Sequence, residues 1–281
     1  MTSSSRRARG AHLAALCAIA LPALAATAAD AAPVKVYVAR GPAVSLPAAA
    51  GAESVYDVGD DLEVGCGKGG APLAAGWTGA GGPVSRVRPL LDDVDEFEVE
   101  TRRPLAKAKM RALAICASGA VKPTLAEKSG QQVSCGAKLA LGVAASTTWP
   151  YLEEPVTAKP VGTHAWRMSG GSLARATAIC VSPRAFSKVT TVSASRAFSV
   201  GAKSATASAT CNGGRRPIGW GYEAPVMAEN GWSSADTDSK LTVPFVAASQ
   251  PAGGSGWSVT FVTPDQKGAR SAAKVTAHVI C

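Results

Sequence analysis

Apolar and polar positions alternate at short range along most of this chain. Long helical periods are hard to find. Glu96-Phe97-Glu98-Val99-Glu100 alternates charge and apolar side chain, which predicts a strand with Phe97 and Val99 on one face. Ser258-Val259-Thr260-Phe261-Val262-Thr263 and Lys274-Val275-Thr276-Ala277-His278-Val279-Ile280 are β-branched and partly alternating. Gly and Pro punctuate these runs at Gly81-Gly82-Pro83, Pro123, Pro155, Pro160, Gly213-Gly214 and Gly253-Gly254. Many short strands with Gly/Pro turns predict an all-β fold of sandwich, barrel or prism type.

One pattern recurs three times. The apolar runs Arg111 to Cys116, Arg175 to Cys180 and Thr276 to Cys281 each stop at a cysteine. Each has an earlier partner, Cys66, Cys135 or Cys211, in a Gly-rich or small-residue context. A small-residue strand follows the first cysteine: Pro72 to Trp77, Leu139 to Val143, Pro217 to Gly221. A variable stretch comes next, then an aromatic-led strand at Phe97, Trp166 or Trp257, then the closing run. On this alignment Trp77 and Trp220 are equivalent. The chain therefore reads as three related β units, 32–118, 119–184 and 185–281, behind a leader over 1–31.

The leader has Arg6, Arg7 and Arg9 before an apolar run from Ala11 to Ala26, then Ala29-Asp30-Ala31. This is the pattern of a secretory signal peptide with an A-x-A cleavage site. The run is short for a membrane span. Leu16 before Cys17 does not fit a lipoprotein signal. Loss of Cys17 leaves six of the seven cysteines, an even set that predicts three disulfides outside the cytoplasm. No transmembrane segment is expected in the mature chain.

Units of about 70 residues bury too little apolar area to be comfortably stable alone, so covalent help is expected. A bridge closing some 50 residues is worth about 4 kcal/mol in the chain-entropy model. Pairing within copies gives Cys66–Cys116, Cys135–Cys180 and Cys211–Cys281, each unit with its own staple, and is preferred. The rival crosses the junctions: Cys116–Cys135, Cys180–Cys211 and Cys66–Cys281, the last implying one closed body. The units can be beads in a row or close with pseudo-threefold symmetry.

The run of Cys, Gly-rich turn, Trp-led strand and closing A-x-C resembles a repeat in secreted bacterial proteins, many of them actinobacterial. In that repeat the first Cys is often followed by Pro-x-Gly and a Gly triplet. Cys66-Gly67-Lys68-Gly69-Gly70 and Cys211-Asn212-Gly213-Gly214 approximate it, while Cys135-Gly136-Ala137-Lys138 departs further. The resemblance covers most of residues 55–281. It implies export and a β-rich disulfide unit, and carries no activity.

Candidate chemistry is sparse. The formal charge is +9, which favours loose association with acidic polymers. The basic residues are scattered and reach only pairs, Arg102-Arg103 and Arg215-Arg216, so no nucleic-acid partner is expected. His164 and His278 fall in predicted strands without Cys, Asp or His at ligand spacing. No C-x-x-C occurs, so neither zinc nor a cofactor is expected. Ser271-Ala272-Ala273-Lys274 matches S-x-x-K without the S-D-N and K-T-G partners that such an enzyme needs. Acidic residues cluster at Asp92-Asp93-Val94-Asp95-Glu96 and at Asp236 and Asp238. They read as solvated turns, with Ca²⁺ ligation or a glycosidase pair as sharper alternatives.

The better lead is aromatic. Trp149 beside Tyr151, and Trp232 near Asp236 and Asp238, lie in the variable stretches. Loop aromatics stack on sugars or anchor protein partners. The expectation is a secreted, non-enzymatic binding or surface-associated module for an envelope glycan or envelope protein. The alternatives are a secreted hydrolase using carboxylates and a structural or host-interaction protein.

Overall fold

The computed structural model describes residues 34–48, 58–79, 84–90, 96–102, 107–119, 121–147, 157–169, 173–223, 245–263 and 272–281. The predicted leader lies outside them. Residues 32–281 form one compact unit, and it is all-β. No helix among the described residues is long and apolar enough to cross a membrane.

Eighteen strands are described, six from each copy of the repeat. Copy one supplies β1 (Val36–Leu46), β2 (Val58–Gly65), β3 (Gly70–Thr78), β4 (Val84–Pro89), β5 (Glu96–Arg102) and β6 (Ala108–Ser118). Copy two supplies β7 (Thr124–Lys128), β8 (Gln132–Ser134), β9 (Leu139–Thr147), β10 (Thr157–Val161), β11 (Ala165–Ser169) and β12 (Leu173–Val181). Copy three supplies β13 (Thr191–Phe198), β14 (Ser204–Thr210), β15 (Gly219–Glu223), β16 (Phe245–Ala252), β17 (Gly256–Val262) and β18 (Ala273–Ile280).

No copy keeps its strands in one sheet. The three six-stranded sheets run β1-β6-β3-β16-β17-β14, β2-β5-β4-β9-β12-β7 and β13-β18-β15-β10-β11-β8. Each copy gives its first, third and last strands to one sheet and its second, fourth and fifth to the next. The exchange is cyclic, so the molecule is a closed body of prism type. Among the described residues each sheet is joined across copies at one residue pair: Trp77 with Ser249, Ala145 with Val87, and Tyr222 with Ala158.

The disulfides follow the within-copy pattern: Cys66–Cys116, Cys135–Cys180 and Cys211–Cys281. They do not make independent beads. Cys66 follows β2 of one sheet and Cys116 lies in β6 of another, and the other two bridges repeat this. Each staple ties two sheets, and together the three ring the whole body. Closure therefore needs no bond between Cys66 and Cys281.

The core is one cluster drawn from all three copies. The third strands of the copies, β3, β9 and β15, meet around its centre. A Cβ at Gly142 would fall on the carbonyl oxygen of Leu73, and one at Gly219 on that of Leu141. Glycine lets the backbones approach. The third contact is different: the Trp220 indole N–H donates to the carbonyl of Ala75 at 2.7 Å.

Register confirms the aromatic landmarks and moves one. Phe97, Trp166 and Trp257 each face the residue two before the first cysteine of their copy: Val64, Val133 and Ala209. All three are buried. Each also faces a proline across the neighbouring strand: Pro89, Pro160 and Pro251. Pro160 is thus inside β10, not a break between strands. Each proline sits two residues past the single cross-copy bridge, where its missing N–H costs no ladder bond.

Trp77 and Trp220 are not equivalent. Trp77 faces Ala112, four residues before the closing cysteine, whereas Trp220 faces Val279, two before it. The partner of Trp77 in copy three is Tyr222, opposite Ala277. Trp220 instead occupies the place of Ala75 and Val143. It stacks on Trp257 at 5.7 Å and meets Trp77 edge-on at 5.8 Å. The shared Gly-Trp dipeptide misleads because bulges in the pairing of β3 and β9 shift the count.

Candidate functional site

Positions where the three copies agree build the core. Chemistry belongs where one copy departs from the other two, and two such places stand on the outer sheet faces.

The first is the face of β2, β5 and β4 in copy one. Ladder pairing sets Glu98 beside Glu63 and Arg88, and Glu100 beside Asp61 and Arg86. The Glu98 side chain is only 7% exposed, although alternation alone puts it in water. It is covered by arginines. Arg88 donates to both of its oxygens at 2.6 Å, and Arg86 reaches it at 3.3 Å and Glu100 at 3.1 Å. The Arg88 hydrogen bonds hold the Glu98 carboxyl below its ordinary range against the opposing effect of burial. Asp61 goes the other way: burial, then the charges of Glu98 and Glu100, raises it. With both oxygens engaged and its proton affinity lowered, Glu98 is a poor general acid. This face is an ion-pair lattice.

The second place is the outer face of β13, β18, β15 and β10. Ser193 Oγ lies 2.6 Å from His278 Nδ1. His278 Nε2 lies 3.7 Å from Glu223 Oε1, and Lys159 Nζ meets the same oxygen at 2.6 Å. His278 is buried, and its Nε2 has no hydrogen-bond partner. Burial lowers the proton affinity of the ring, helped by the Lys159 charge and opposed by Glu223. The imidazole is therefore neutral at pH 7. No local motif marks this group, because Ser193 and His278 are 85 residues apart. The other histidine, His164, lies in the turn between β10 and β11, not in a strand, with its Nδ1 2.8 Å from the carbonyl of Lys138.

The loop residues singled out from sequence, Trp149, Tyr151, Trp232, Asp236 and Asp238, lie outside the described residues, as do Asp92, Asp93, Asp95 and Ser271. What is described is where their chain segments start. Segments 79–83, 148–156 and 224–244 all connect the third strand of a copy to its fourth. They leave β3, β9 and β15 just beyond the equivalent bridge residues Trp77, Ala145 and Tyr222. The other four tryptophans pack in the core. Among the described residues no three His, Cys, Asp or Glu side chains are grouped to hold a metal ion.

No family model matches the chain, and no curated protein matches it in sequence.

Proposed function

We propose that the protein is an exported binding module working at or beyond the cell envelope, with an envelope glycan or envelope protein as its ligand. The observation that carries this reading is the contrast between frame and connections. Three sheets are tied pairwise by disulfides, while the connection from third to fourth strand, which begins at an equivalent strand end in each copy, is the one that differs most in length between copies. A braced scaffold that varies most at one connection is how recognition surfaces are commonly built. The two longer connections carry Trp149 with Tyr151, and Trp232 with Asp236 and Asp238. Aromatic faces for sugar rings or side chains, with carboxylates beside them for hydroxyl or basic groups, suit either ligand class. Export is supported by the leader pattern together with the three bridges, which persist in an oxidising compartment.

The test is retention of the purified protein on insoluble envelope polysaccharide and on envelope protein fractions. Trp232→Ala and Trp149→Ala are expected to weaken retention at least tenfold with an unchanged melting temperature. Undiminished retention of both variants, or none by the parent protein, overturns the reading.

A further inference from the structure

His278 stands three residues before its closing cysteine. The same position holds Leu113 in copy one and Thr177 in copy two. Across the ladder from these three lie Ser193, Arg40 and Glu127 respectively. Only the third copy puts a hydroxyl against an imidazole. The contact is 2.6 Å, the imidazole is buried, and its far nitrogen is unpartnered 3.7 Å from the Glu223 carboxylate.

The backbone around Ser193 adds a donor. Thr190 and Cys281 exchange both backbone N–H···O bonds, at 3.1 and 2.8 Å. From that hydrogen-bonded pair the register runs without a bulge: Thr191 with Ile280, Val192 with Val279, Ser193 with His278. Bonded and non-bonded pairs alternate in an antiparallel ladder. Ser193 and His278 therefore form a non-bonded pair, and the Ser193 N–H points away from β18. Because β13 is the edge strand of its sheet, that N–H is not used by a strand of its own sheet and belongs to the same residue as the hydroxyl. The Ser193 side chain is exposed.

We propose that Ser193 is a nucleophile, with His278 as its base, that accepts the acyl group of a carboxylic ester. The Ser193 oxygen attacks the ester carbonyl, and its proton passes to His278 Nδ1. The carbonyl oxygen becomes an oxyanion within reach of the Ser193 N–H. The acyl carbon–oxygen bond to the alcohol breaks, and the alkoxide leaves with the proton from Nδ1. Water then attacks the acyl-serine, gives a proton to the same nitrogen and releases the acid, and the serine oxygen recovers its proton. Glu223 touches no reacting atom. It is a positioning residue, placed to attract Nε2–H while the ring is charged, and Lys159 limits that attraction. An exposed serine on an edge strand suits an ester carried on a polymer, which need not enter an enclosed pocket. With one backbone donor, turnover is slow and the acyl-serine accumulates.

Ser195 is an internal control. It lies two residues along the same strand, but its hydroxyl is 3.0 Å from Thr276 Oγ1, a hydroxyl in place of an imidazole.

The experiment treats the disulfide-bonded protein with p-nitrophenyl acetate and with a fluorophosphonate, followed by peptide mass mapping. One adduct is expected, on Ser193. Ser193→Ala abolishes it, Ser195→Ala leaves it unchanged, and His278→Gln slows labelling at least a hundredfold. The groups facing the ring are Ser193 from β13, Glu223 from β15 and Lys159 from β10. Labelling is level at neutral and alkaline pH and falls with ring protonation, at a pH below the ordinary histidine value of 6.5. Glu223→Gln moves that midpoint further down, which a merely structural role would not do. Where His278→Gln fails to fold by near-ultraviolet circular dichroism, Ser193→Ala and the pH profile decide. Absence of an adduct, equal labelling of Ser193 and Ser195, or a rate indifferent to pH below 6.5 overturns the proposal. It rests on residues separate from those of the binding reading, so neither failure implies the other.

Discussion

The outer faces of β2-β5-β4 in copy one and β14-β17-β16 in copy three have the same backbone and opposite chemistry. Where copy one has Glu98 between Glu63 and Arg88, copy three has Ser258 between Ser208 and Gln250. Where copy one has Glu100 between Asp61 and Arg86, copy three has Thr260 between Thr206 and Ala248. The hydroxyl face is held by neutral bonds: Thr206 to Thr260 at 2.9 Å, and Ser258 to the Gln250 carbonyl at 3.2 Å. The lesson is that the frame does not depend on what these faces carry. The inward positions, such as Phe97 and Val99 against Trp257 and Val259, fix the strands, and the outward positions are free to diverge.

The largest expected effect is one the two copies share. Replacing both cysteines of a staple by serine removes about 4 kcal/mol whether the loop closed is 50 residues (Cys66–Cys116) or 70 (Cys211–Cys281), because the entropy grows only with the logarithm of length. Denaturant midpoints of the two double variants should therefore agree closely. A large gap between them would show that something other than loop closure sets the worth of a staple.

The faces themselves separate at the next step. Glu98→Ala strips the charged hydrogen bonds from Arg88 and Arg86 and is expected to cost about 2–3 kcal/mol. The matching Ser258→Ala should cost about 1 kcal/mol or less, since it removes one neutral bond on a partly exposed strand. Urea unfolding of both variants reads the difference directly.

Acid sharpens the contrast further. Folding lowers the Glu98 pKa below the ordinary 4.5, so its contribution is present above that value and is lost as pH falls through the folded pKa. Asp61 is raised above 3.8, so the folded chain takes up its proton first, and that protonation stabilises as pH falls. Within one face the two partly cancel. Glu98→Gln is expected to flatten the fall of melting temperature below pH 5, and Asp61→Asn to steepen it. The hydroxyl face has no titrating group to show either effect.

Much of this frame was readable from the chain, and the failures have physical causes. The disulfide partners and Phe97, Trp166 and Trp257 were legible because each holds a fixed place relative to a cysteine. The sharing of sheets was not. Among the described residues each cross-copy junction is one bridge between ordinary residues, such as Val87 with Ala145, and no pattern marks it. The cover over Glu98 was not legible because alternation reports which face a side chain takes, not what lies over it. Pro160 looked like a breaker because its open flank depends on where the neighbouring strand ends. Ser193 and His278 are brought together only by register, so no local motif could signal them.

Cyclic exchange of half-sheets also sets a dependence. Each copy offers one half-sheet to a neighbour and takes another in return, so no sheet is complete within a single copy. One copy alone would present two half-sheets with unpaired edges and could satisfy them only by gathering further copies like itself. The chain is thus an assembly whose subunits happen to be joined end to end, and the peptide links between copies decide their order around the ring.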